Sequence, residues 1–153
     1  MSKKDNTDGR QTMARNRRAR YDYEILEVVE AGLSLLGPEV KSIRSGKASI
    51  AEAFAHFDGT ELFLKGMHIP EYSHTGYTEH EPRRSRKMLL HKKELTKLAA
   101  AVARDGLTLI PLELYFKKGR AKIELALVRG RKRRDKRQAL KEKAAKQEMR
   151  RSK

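Results

Sequence analysis

The residues with the clearest capacity for chemistry in this 153-residue chain are basic, and they are grouped. Six lysines and arginines lie from the end of a polar segment at residues 70–85 to the start of a helix-forming segment at residues 92–104. Lys and Arg neutralise phosphates and release bound counterions, so such a group is typical of polyanion binding. A basic face kept solvated for solubility is the alternative. This basic cluster consists of Arg83, Arg84, Arg86, Lys87, Lys92 and Lys93.

Other residue types give little support for catalysis or metal binding. His74 and His80 lie near Glu79 and Glu81, but their spacing matches no zinc-binding pattern. The chain has no cysteine, which excludes disulfides and thiolate metal sites. The sequence also lacks a nucleophile elbow, a P-loop and a dinucleotide-binding glycine motif. We therefore predict that the protein is not an enzyme and uses no metal or cofactor.

The net charge of +16 is concentrated at the two ends of the chain. Residues 1–20 carry a net charge of +5 and residues 129–153 carry +10, which leaves +1 between them. Such arms cannot bury apolar surface, and a polyanion is their natural partner. Nucleic acid is favoured over a membrane, because aromatic residues make up only 6% and no lipid motif is present. Without a long apolar run or an apolar signal core, the chain is predicted to be cytoplasmic. We also predict a monomer.

The charge distribution predicts a three-part organisation with a distinctive tail. From residue 131 to residue 151 there is no Gly or Pro, and residues of high helix propensity dominate. Leu140, Ala144 and Met149 form only a thin apolar seam, so an isolated helix would be marginal. We predict a tail that is disordered when free and helical when bound; a permanently disordered tail is the alternative. The predicted parts are a flexible basic leader at 1–15, an RNA-binding body at 16–130 and the tail at 131–153.

The first half of the body reads mainly as short strands. Polar and apolar residues alternate from Tyr21 to Ile25, and the alternation then slips, which indicates a strand with a bulge. A turn is predicted at residues 30–32, with a return strand at residues 33–36. Pro38 and Glu39 favour the start of a short helix. Asp58-Gly59 predicts a hairpin between two further strands.

The second half of the body predicts one amphipathic helix and a final hairpin. Residues 70–85 form a long polar loop, and residues 86–90 form a short strand. Apolar residues at helical spacing predict a helix over residues 92–104 that ends at Gly106. The final hairpin turns across residues 117–120, with Lys122 on the polar face of its last strand. We therefore predict a mainly β protein, an OB-type closed β-barrel of six to seven strands with one short and one longer α-helix.

Four segments in the same order resemble the small protein B family, the SsrA-binding proteins of bacteria. They are NRRARYDYEI at residues 16–25, EAGLSLLGPEVKSIR at 30–44, RRSRKMLLHKKEL at 83–95 and GRKRRDKR at 130–137. Any one of these segments alone would be weak evidence, but four in order are specific. Arg134 departs from the family pattern, in which many members have an aromatic residue or His before the Asp-Lys-Arg triplet; this favours a phosphate contact over stacking.

The resemblance implies an RNA-binding protein rather than an enzyme. Members of the family bind the tRNA-like domain of transfer-messenger RNA and deliver it to stalled ribosomes for trans-translation. Their tail enters the empty mRNA channel near the decoding centre. Elongation factor Tu and alanyl-tRNA synthetase are implied as indirect partners, because they act on the same RNA. From the residues alone, a structural ribosomal protein and an RNA-processing enzyme that uses the long loop stay open as alternatives.

The predicted site residues come from the matched motifs and the basic cluster. A carboxylate facing RNA needs a base amino group or a 2′-hydroxyl as donor; without the resemblance, Glu30 would be an ordinary exposed acid. The resemblance assigns RNA contacts to Asn16, Glu30, Ala31, Leu89 and Lys122, with Arg129 and Arg131 nearby. Basic residues complete the predicted RNA-binding set: Arg17, Lys41, Arg44, Arg83, Arg86 and Lys87. Ribosomal accommodation is assigned to the tail residues Asp135, Lys136 and Arg137.

Overall fold

The computed structural model describes residues 9–71, 81–130 and 143–147. Within these ranges the chain is mainly β, with seven strands and a few helices. The strands are β1 (Arg10–Arg15), β2 (Tyr23–Leu33), β3 (Phe54–Asp58), β4 (Glu61–Lys65), β5 (Arg86–Leu89), β6 (Thr108–Lys117) and β7 (Arg120–Gly130). The helices are α1 (Ala19–Asp22), α2 (Gly37–Arg44) and α3 (Lys92–Asp105), and residues 143–147 form a further helical turn.

The strands pair in a closed ring. The order is β6-β3-β4-β5-β2-β7, and β7 pairs again with β6, while β1 joins the ring along β6. Every pairing is antiparallel. Ring closure leaves few unpaired strand edges, which is how small β proteins avoid edge-to-edge association. The predicted closed, mainly β architecture with six to seven strands is therefore confirmed.

The core fills the inside of this ring. Ile123, Leu125 and Leu127 of β7 point inward, as their alternation predicts, while Ile43 of α2 and Leu98 of α3 are also buried in the same cluster. A smaller apolar cluster lies on the outer side of the β6–β7 pair. Its members are Ala19, Ile110, Leu112, Ala126 and Val128. The part of β7 that follows Lys122 and Glu124 is therefore buried on both faces.

Strand β2 corrects the prediction of a turn at residues 30–32 and a return strand at residues 33–36. The strand continues through this segment, where Glu30 pairs with Glu124 and Gly32 pairs with Lys122. The glycine is required for space rather than for a turn: a Cβ on Gly32 would lie 3.2 Å from the Cβ of Leu89. The predicted bulge is confirmed, since the register of β2 against β7 shifts between Ile25 and Glu27.

Strand β1 corrects the prediction of an unordered leader through residue 15. Arg10–Arg15 pairs with β6, so the ordered body begins before residue 16. The side chain of Arg10 lies 3.0 Å from a carboxylate oxygen of Glu124, and Thr12 donates a hydrogen bond of 2.5 Å to Glu113. Arg10 therefore forms an ion pair with an acid far along the chain, which composition alone does not reveal.

The remaining local predictions agree closely with the structure. Helix α3 covers the predicted segment and is followed by Gly106 in the left-handed conformation, with φ of 62°. The hairpin β3–β4 forms, but Asp58 pairs with Glu61, so its turn lies one residue later than predicted. The final hairpin turns between Lys117 and Arg120, as predicted. Among the helices of the described ranges, none has the length and apolar character needed to cross a membrane.

Candidate nucleic-acid interface

Backbone pairing brings several of the predicted RNA-binding residues together around Gly32. This glycine pairs with Leu89 of β5 on one side and with Lys122 of β7 on the other. Directly opposed residues of antiparallel strands share a face, and so do residues two apart on one strand. Glu30, Leu89 and Lys122 therefore lie on the outer face of the ring, where Leu89 is 52% exposed. An acid, an apolar side chain and a cation meet in one surface region.

Ala31 is placed differently from its prediction. Its neighbours Glu30 and Gly32 face outward, so strand alternation turns Ala31 inward. It is 1% exposed and belongs to the main core. A side-chain contact between Ala31 and RNA is inconsistent with this burial. The residue instead allows β2 to pack while presenting Glu30 on the outer face.

The Glu30 carboxylate is held by two donors from β6. Tyr115 Oη donates a hydrogen bond of 2.5 Å to Glu30 Oε2, and Lys117 Nζ lies 3.4 Å from the same oxygen. The Tyr115 hydrogen bond is the main reason that the pKa of Glu30 lies below its ordinary value, and Lys117 and Lys122 act in the same direction against partial burial. Burial and the bond to Glu30 raise the pKa of Tyr115. Glu30 is therefore an anion and Tyr115 a neutral donor at physiological pH.

Strand β1 extends this arrangement. The Arg10 guanidinium carbon lies 4.0 Å from the centre of the Tyr115 ring, and its Nη1 lies 3.0 Å from Glu124 and 3.6 Å from Glu113. Cations over aromatic faces are attracted by the ring quadrupole. Acids and cations on the outer face thus alternate and neutralise one another. This outer-face network consists of Arg10, Thr12, Glu30, Glu113, Tyr115, Lys117 and Glu124.

Sequence reasoning missed Tyr115, Lys117 and Arg10 as parts of this region. The alternation of Glu113, Tyr115 and Lys117 along β6 was a signal that they share a face. Their contact with Glu30 depends on the register of three strands, which local patterning does not provide.

Asn16 lies at the entry to α1. Its backbone N–H donates to the carbonyl of Leu112 at 2.8 Å, and its Nδ2 donates to the carbonyl of Pro111 at 3.2 Å. These bonds fix the chain where it leaves β1. Asn16 also lines a cavity of about 250 Å³, together with Tyr23 of β2. The next residue, Arg17, is exposed.

The basic cluster divides into interior and surface residues. Arg86 is 0% exposed; its Nε donates to Glu39, its Nη1 and Nη2 donate to backbone carbonyls, and Nη2 also lies 2.6 Å from Glu39 Oε2. The accepting carbonyls belong to Met67, Arg84 and Pro82. The prediction that Arg86 contacts RNA is therefore wrong for this geometry, because its guanidinium is enclosed and fully bonded.

Glu39 is the carboxylate that compensates this buried charge. Its two oxygens also accept hydrogen bonds from Arg84, at 2.5 and 3.0 Å, and from the N–H of Leu36 at 2.8 Å. Burial by itself raises the pKa of Glu39, but the hydrogen bonds from Arg84, Leu36 and Arg86 outweigh it, so the pKa lies below its ordinary value. The Glu39–Arg84–Arg86 cluster ties the start of α2 to the segment that leads into β5.

The other predicted basic residues stay at the surface. Arg83 lies 3.9 Å from Glu52, and Lys87 lies 2.5 Å from Glu61, yet each basic side chain is about half exposed. The exposed positions on α2 and β7 are Lys41, Arg44 and Arg129. Arg44 stacks on the Phe116 ring at 4.4 Å, and Arg129 lies 3.1 Å from Glu24.

Several predicted residues lie outside the described residues. They include the loop residues His74, Glu79 and His80, and the tail residues Arg131, Asp135, Lys136 and Arg137. Within the described ranges, no group of three or more potential metal-ligating side chains is brought together.

Comparison with known proteins identifies the family. The family model for SmpB protein matches residues 13–153. An SsrA-binding protein of Parafrankia sp. is 53% identical over 141 residues, covering 92% of this chain and 89% of the relative. An SsrA-binding protein of Thermobifida fusca is 51% identical over 150 residues, covering 98% and 94%.

A solved structure gives the same result. That structure is described as "tmRNA-SmpB: a journey to the center of the bacterial ribosome". The matching chain is 48% identical to this chain, with a TM-score of 0.66. The match covers 82% of this chain and 92% of the other. The chain therefore belongs to the SmpB protein family.

Proposed function

We propose that this protein binds transfer-messenger RNA and brings it to stalled ribosomes for trans-translation, in which the ribosome is rescued and the nascent chain is tagged. Relatives about half identical over more than nine-tenths of the chain are SsrA-binding proteins. A 48% identical structural neighbour is the protein of a tmRNA–SmpB structure concerned with the bacterial ribosome. The protein acts as an RNA-binding factor in the cytoplasm, without a catalytic role of its own.

The observation that carries this proposal is the surface around Gly32. An ionised acceptor, Glu30, lies on the same face as the cation Lys122 and the exposed apolar side chain of Leu89. RNA offers a complement to each: base amino groups and 2′-hydroxyls donate, phosphates bind cations, and riboses and bases present apolar surface. Leu89, at 52%, is more exposed than Leu26, Val28, Leu36 or Phe54.

In this proposal, exposed cations of the body supply phosphate contacts. In our proposal the tRNA-like domain is bound by Asn16, Glu30, Leu89 and Lys122, and the surrounding phosphates by exposed basic residues. Those of the described residues are Arg17, Lys41, Arg44, Arg83, Lys87 and Arg129, and Arg131 is added from the sequence. Replacing any one of these cations by a neutral residue would reduce the salt dependence of binding, whichever nucleotide is involved.

The tail is assigned to the ribosome. Residues 131–153 carry strong positive charge and no proline or glycine, and the described part at residues 143–147 is helical. In our proposal the tail becomes a helix in the empty mRNA channel, with Asp135, Lys136 and Arg137 near the decoding centre. Elongation factor Tu and alanyl-tRNA synthetase act on the same RNA without direct contact to this protein.

The function is tested in two steps with the full-length protein. First, fluorescence anisotropy compares binding of a tRNA-like-domain transcript with binding of an unrelated tRNA of similar length at near-physiological salt. Second, a reconstituted translation system with a truncated message reports tagging of the nascent chain. We expect preferential binding and protein-dependent tagging. Equal affinity for both RNAs, or constant stoichiometric presence on unstalled small subunits, would instead indicate a structural ribosomal protein.

A further inference from the structure

The two oxygens of the Glu30 carboxylate have different environments. Oε2 accepts the Tyr115 hydroxyl at 2.5 Å and lies 3.4 Å from Lys117 Nζ. Within the described part of the chain, both hydrogen bonds to the Glu30 carboxylate are made to Oε2 and none to Oε1. The side chain is 38% exposed, so solvent and ligands have access to it. One oxygen is therefore bound within the protein, and the other is available as an acceptor on the outer face.

Tyr115 is a rigid partner for this carboxylate. The residue is 0% exposed and is paired on both sides, with Thr12 of β1 and Lys122 of β7. Arg10 covers its ring at 4.0 Å. Because strand pairing and packing fix the ring, the position of its hydroxyl is set by the fold. The hydroxyl in turn restricts the rotamers available to Glu30.

We propose that Tyr115, assisted by Lys117, is a positioning residue that directs Glu30 Oε1 to accept a hydrogen bond from a neutral RNA donor, a base amino group or a ribose 2′-hydroxyl. This inference rests on the proposed function. Tyr115 acts through Glu30 and does not touch the RNA itself. A phosphate is excluded as the direct partner of Oε1, since an ionised carboxylate and a phosphate are both acceptors and repel each other.

Positioning matters because a free glutamate loses rotamer freedom when it binds. Holding Oε2 in place before binding removes part of that entropic cost, which is the general advantage of preorganised sites. The bond also lowers the pKa of Glu30, and the carboxylate offers two strong acceptor oxygens. Lys117 and Lys122 offset the repulsion between the carboxylate and neighbouring phosphates.

The first test compares the variants Glu30→Ala, Tyr115→Phe and the double variant, with Tyr21→Phe as the matched control. Tyr21→Phe also removes one phenol hydroxyl, from a ring outside the Glu30 contacts. Binding of the tRNA-like-domain transcript is measured by anisotropy, and thermal melting verifies that each variant is folded. We expect each network variant to bind about tenfold more weakly, as for loss of one charge-assisted hydrogen bond. The double variant should be no weaker than Glu30→Ala, and Tyr21→Phe should match the wild type.

The second test identifies the donor by a signal that a structural role would not change. Transcripts carrying randomly placed 2′-deoxy nucleotides, or inosine and purine riboside in place of guanosine and adenosine, are separated into bound and unbound fractions. We expect at least one position that weakens binding to the wild type but not to Glu30→Ala. The deoxy arm identifies a ribose hydroxyl, and the base arm identifies an amino group. Tyr115→Phe should lose the same signal and keep the others.

The outcomes separate this inference from the proposed function. If the wild type binds the transcript preferentially but has the same interference map as Glu30→Ala, Oε1 contacts no RNA donor and the inference is wrong. A full Glu30-dependent signal in Tyr115→Phe would overturn the positioning role. Additive losses in the double variant would do the same. If the wild type shows no preference for the transcript, the proposed function fails, and this inference fails with it.

Discussion

The buried Glu39–Arg86 pair predicts a large and specific loss of stability in Glu39→Gln. Both side chains are 0% exposed, and Arg86 Nη2 lies 2.6 Å from Glu39 Oε2. The amide keeps the shape of the carboxylate but removes its charge, so the Arg86 guanidinium is left buried without a counter-charge. Breaking a buried ion pair on one side typically costs about 3–5 kcal/mol. Small domains have an unfolding free energy of only about 5–15 kcal/mol, so this loss would remove a large part of it.

The matched control is Glu61→Gln on β4. Its carboxylate lies 2.5 Å from Lys87 Nζ, comparable to the Glu39 contacts, but the two side chains are 50% and 48% exposed. Exposed pairs contribute about 0–1 kcal/mol because water and salt screen them. Both variants replace a carboxylate beside a cation by an amide, and they differ in burial and in the number of donors to that carboxylate.

Urea unfolding followed by circular dichroism measures the difference. With a typical slope of about 2 kcal/mol per molar urea, Glu39→Gln should lower the midpoint by about 2 M, and Glu61→Gln by less than about 0.5 M. Equal midpoints for the two variants would refute the reasoning, since burial would then carry no weight. A changed slope in Glu39→Gln would instead indicate a different compactness of the denatured or native state, or a loss of two-state unfolding.

The same carboxylate predicts a dependence on pH. Burial raises the pKa of Glu39, but the hydrogen bonds from Arg84, Leu36 and Arg86 dominate and hold it below the ordinary value of 4.5. A group whose folded pKa is depressed stabilises the protein above its unfolded pKa, and this contribution is lost as the pH falls through the folded pKa. The unfolding free energy of the wild type should therefore decline below about pH 4.5 more steeply than that of Glu39→Gln. Parallel pH profiles would contradict this.

Three further changes test the outer face and the tail. Gly32→Ala should destabilise the protein by about 1 kcal/mol, measured by urea unfolding, because the added Cβ would lie 3.2 Å from the Cβ of Leu89. Lys122→Ala should weaken binding of the tRNA-like domain and lower the slope of log affinity against log salt by about 1, as for removal of one phosphate-binding cation. Deletion of residues 131–153 should leave binding of that domain largely intact but abolish tagging in the reconstituted system.

Each of these changes has a control or an outcome that contradicts it. Gly37→Ala adds a Cβ with no heavy atom within 4 Å and should be neutral by comparison with Gly32→Ala. Lys97→Ala also removes one exposed cation, bonded to Glu27 at 2.6 Å, and should leave the salt slope unchanged. Tagging by the truncated protein would show that the tail and the body do not have separate roles.

Local signals predicted the elements whose determinants lie close together in sequence. The helix over Lys92–Asp105 follows from apolar spacing and a terminal glycine, and the β6–β7 hairpin follows from alternation around a glycine-containing turn. Strand β1 could not be predicted in this way. Arg10 contacts Glu124, 114 positions away, and only strand pairing reveals that the basic segment is part of the sheet. Composition gives the net charge of a segment but does not show which basic residues form ion pairs with distant acids.

The candidate site also combines features that the sequence predicts with features that depend on long-range contacts. Glu30, Leu89 and Lys122 were assigned through the family resemblance, and the strand register brings them together. Two of the predicted contact residues have buried side chains, for a physical reason that the sequence does not display. Ala31 alternates inward, and Arg86 is buried with a carboxylate 47 positions away. Arg86 lies next to other basic residues in sequence, which predicted a phosphate-binding surface. Its ion pair with Glu39 instead makes it part of the protein interior.

The distribution of charge separates affinity from specificity in the proposed function. On the outer face, Glu30 and its neighbouring acids are balanced by Arg10 and by lysines, so this face attracts phosphate weakly. The excess of the +16 charge lies mainly at the two ends of the chain. Counterion release by the exposed residues proposed to bind phosphates, such as Arg17 and Arg129, depends steeply on salt, whereas a hydrogen bond from Glu30 to a neutral donor does not. Raising the salt concentration should therefore lower the affinity for every RNA, while the ratio between wild-type and Glu30→Ala affinities for the tRNA-like domain stays nearly constant.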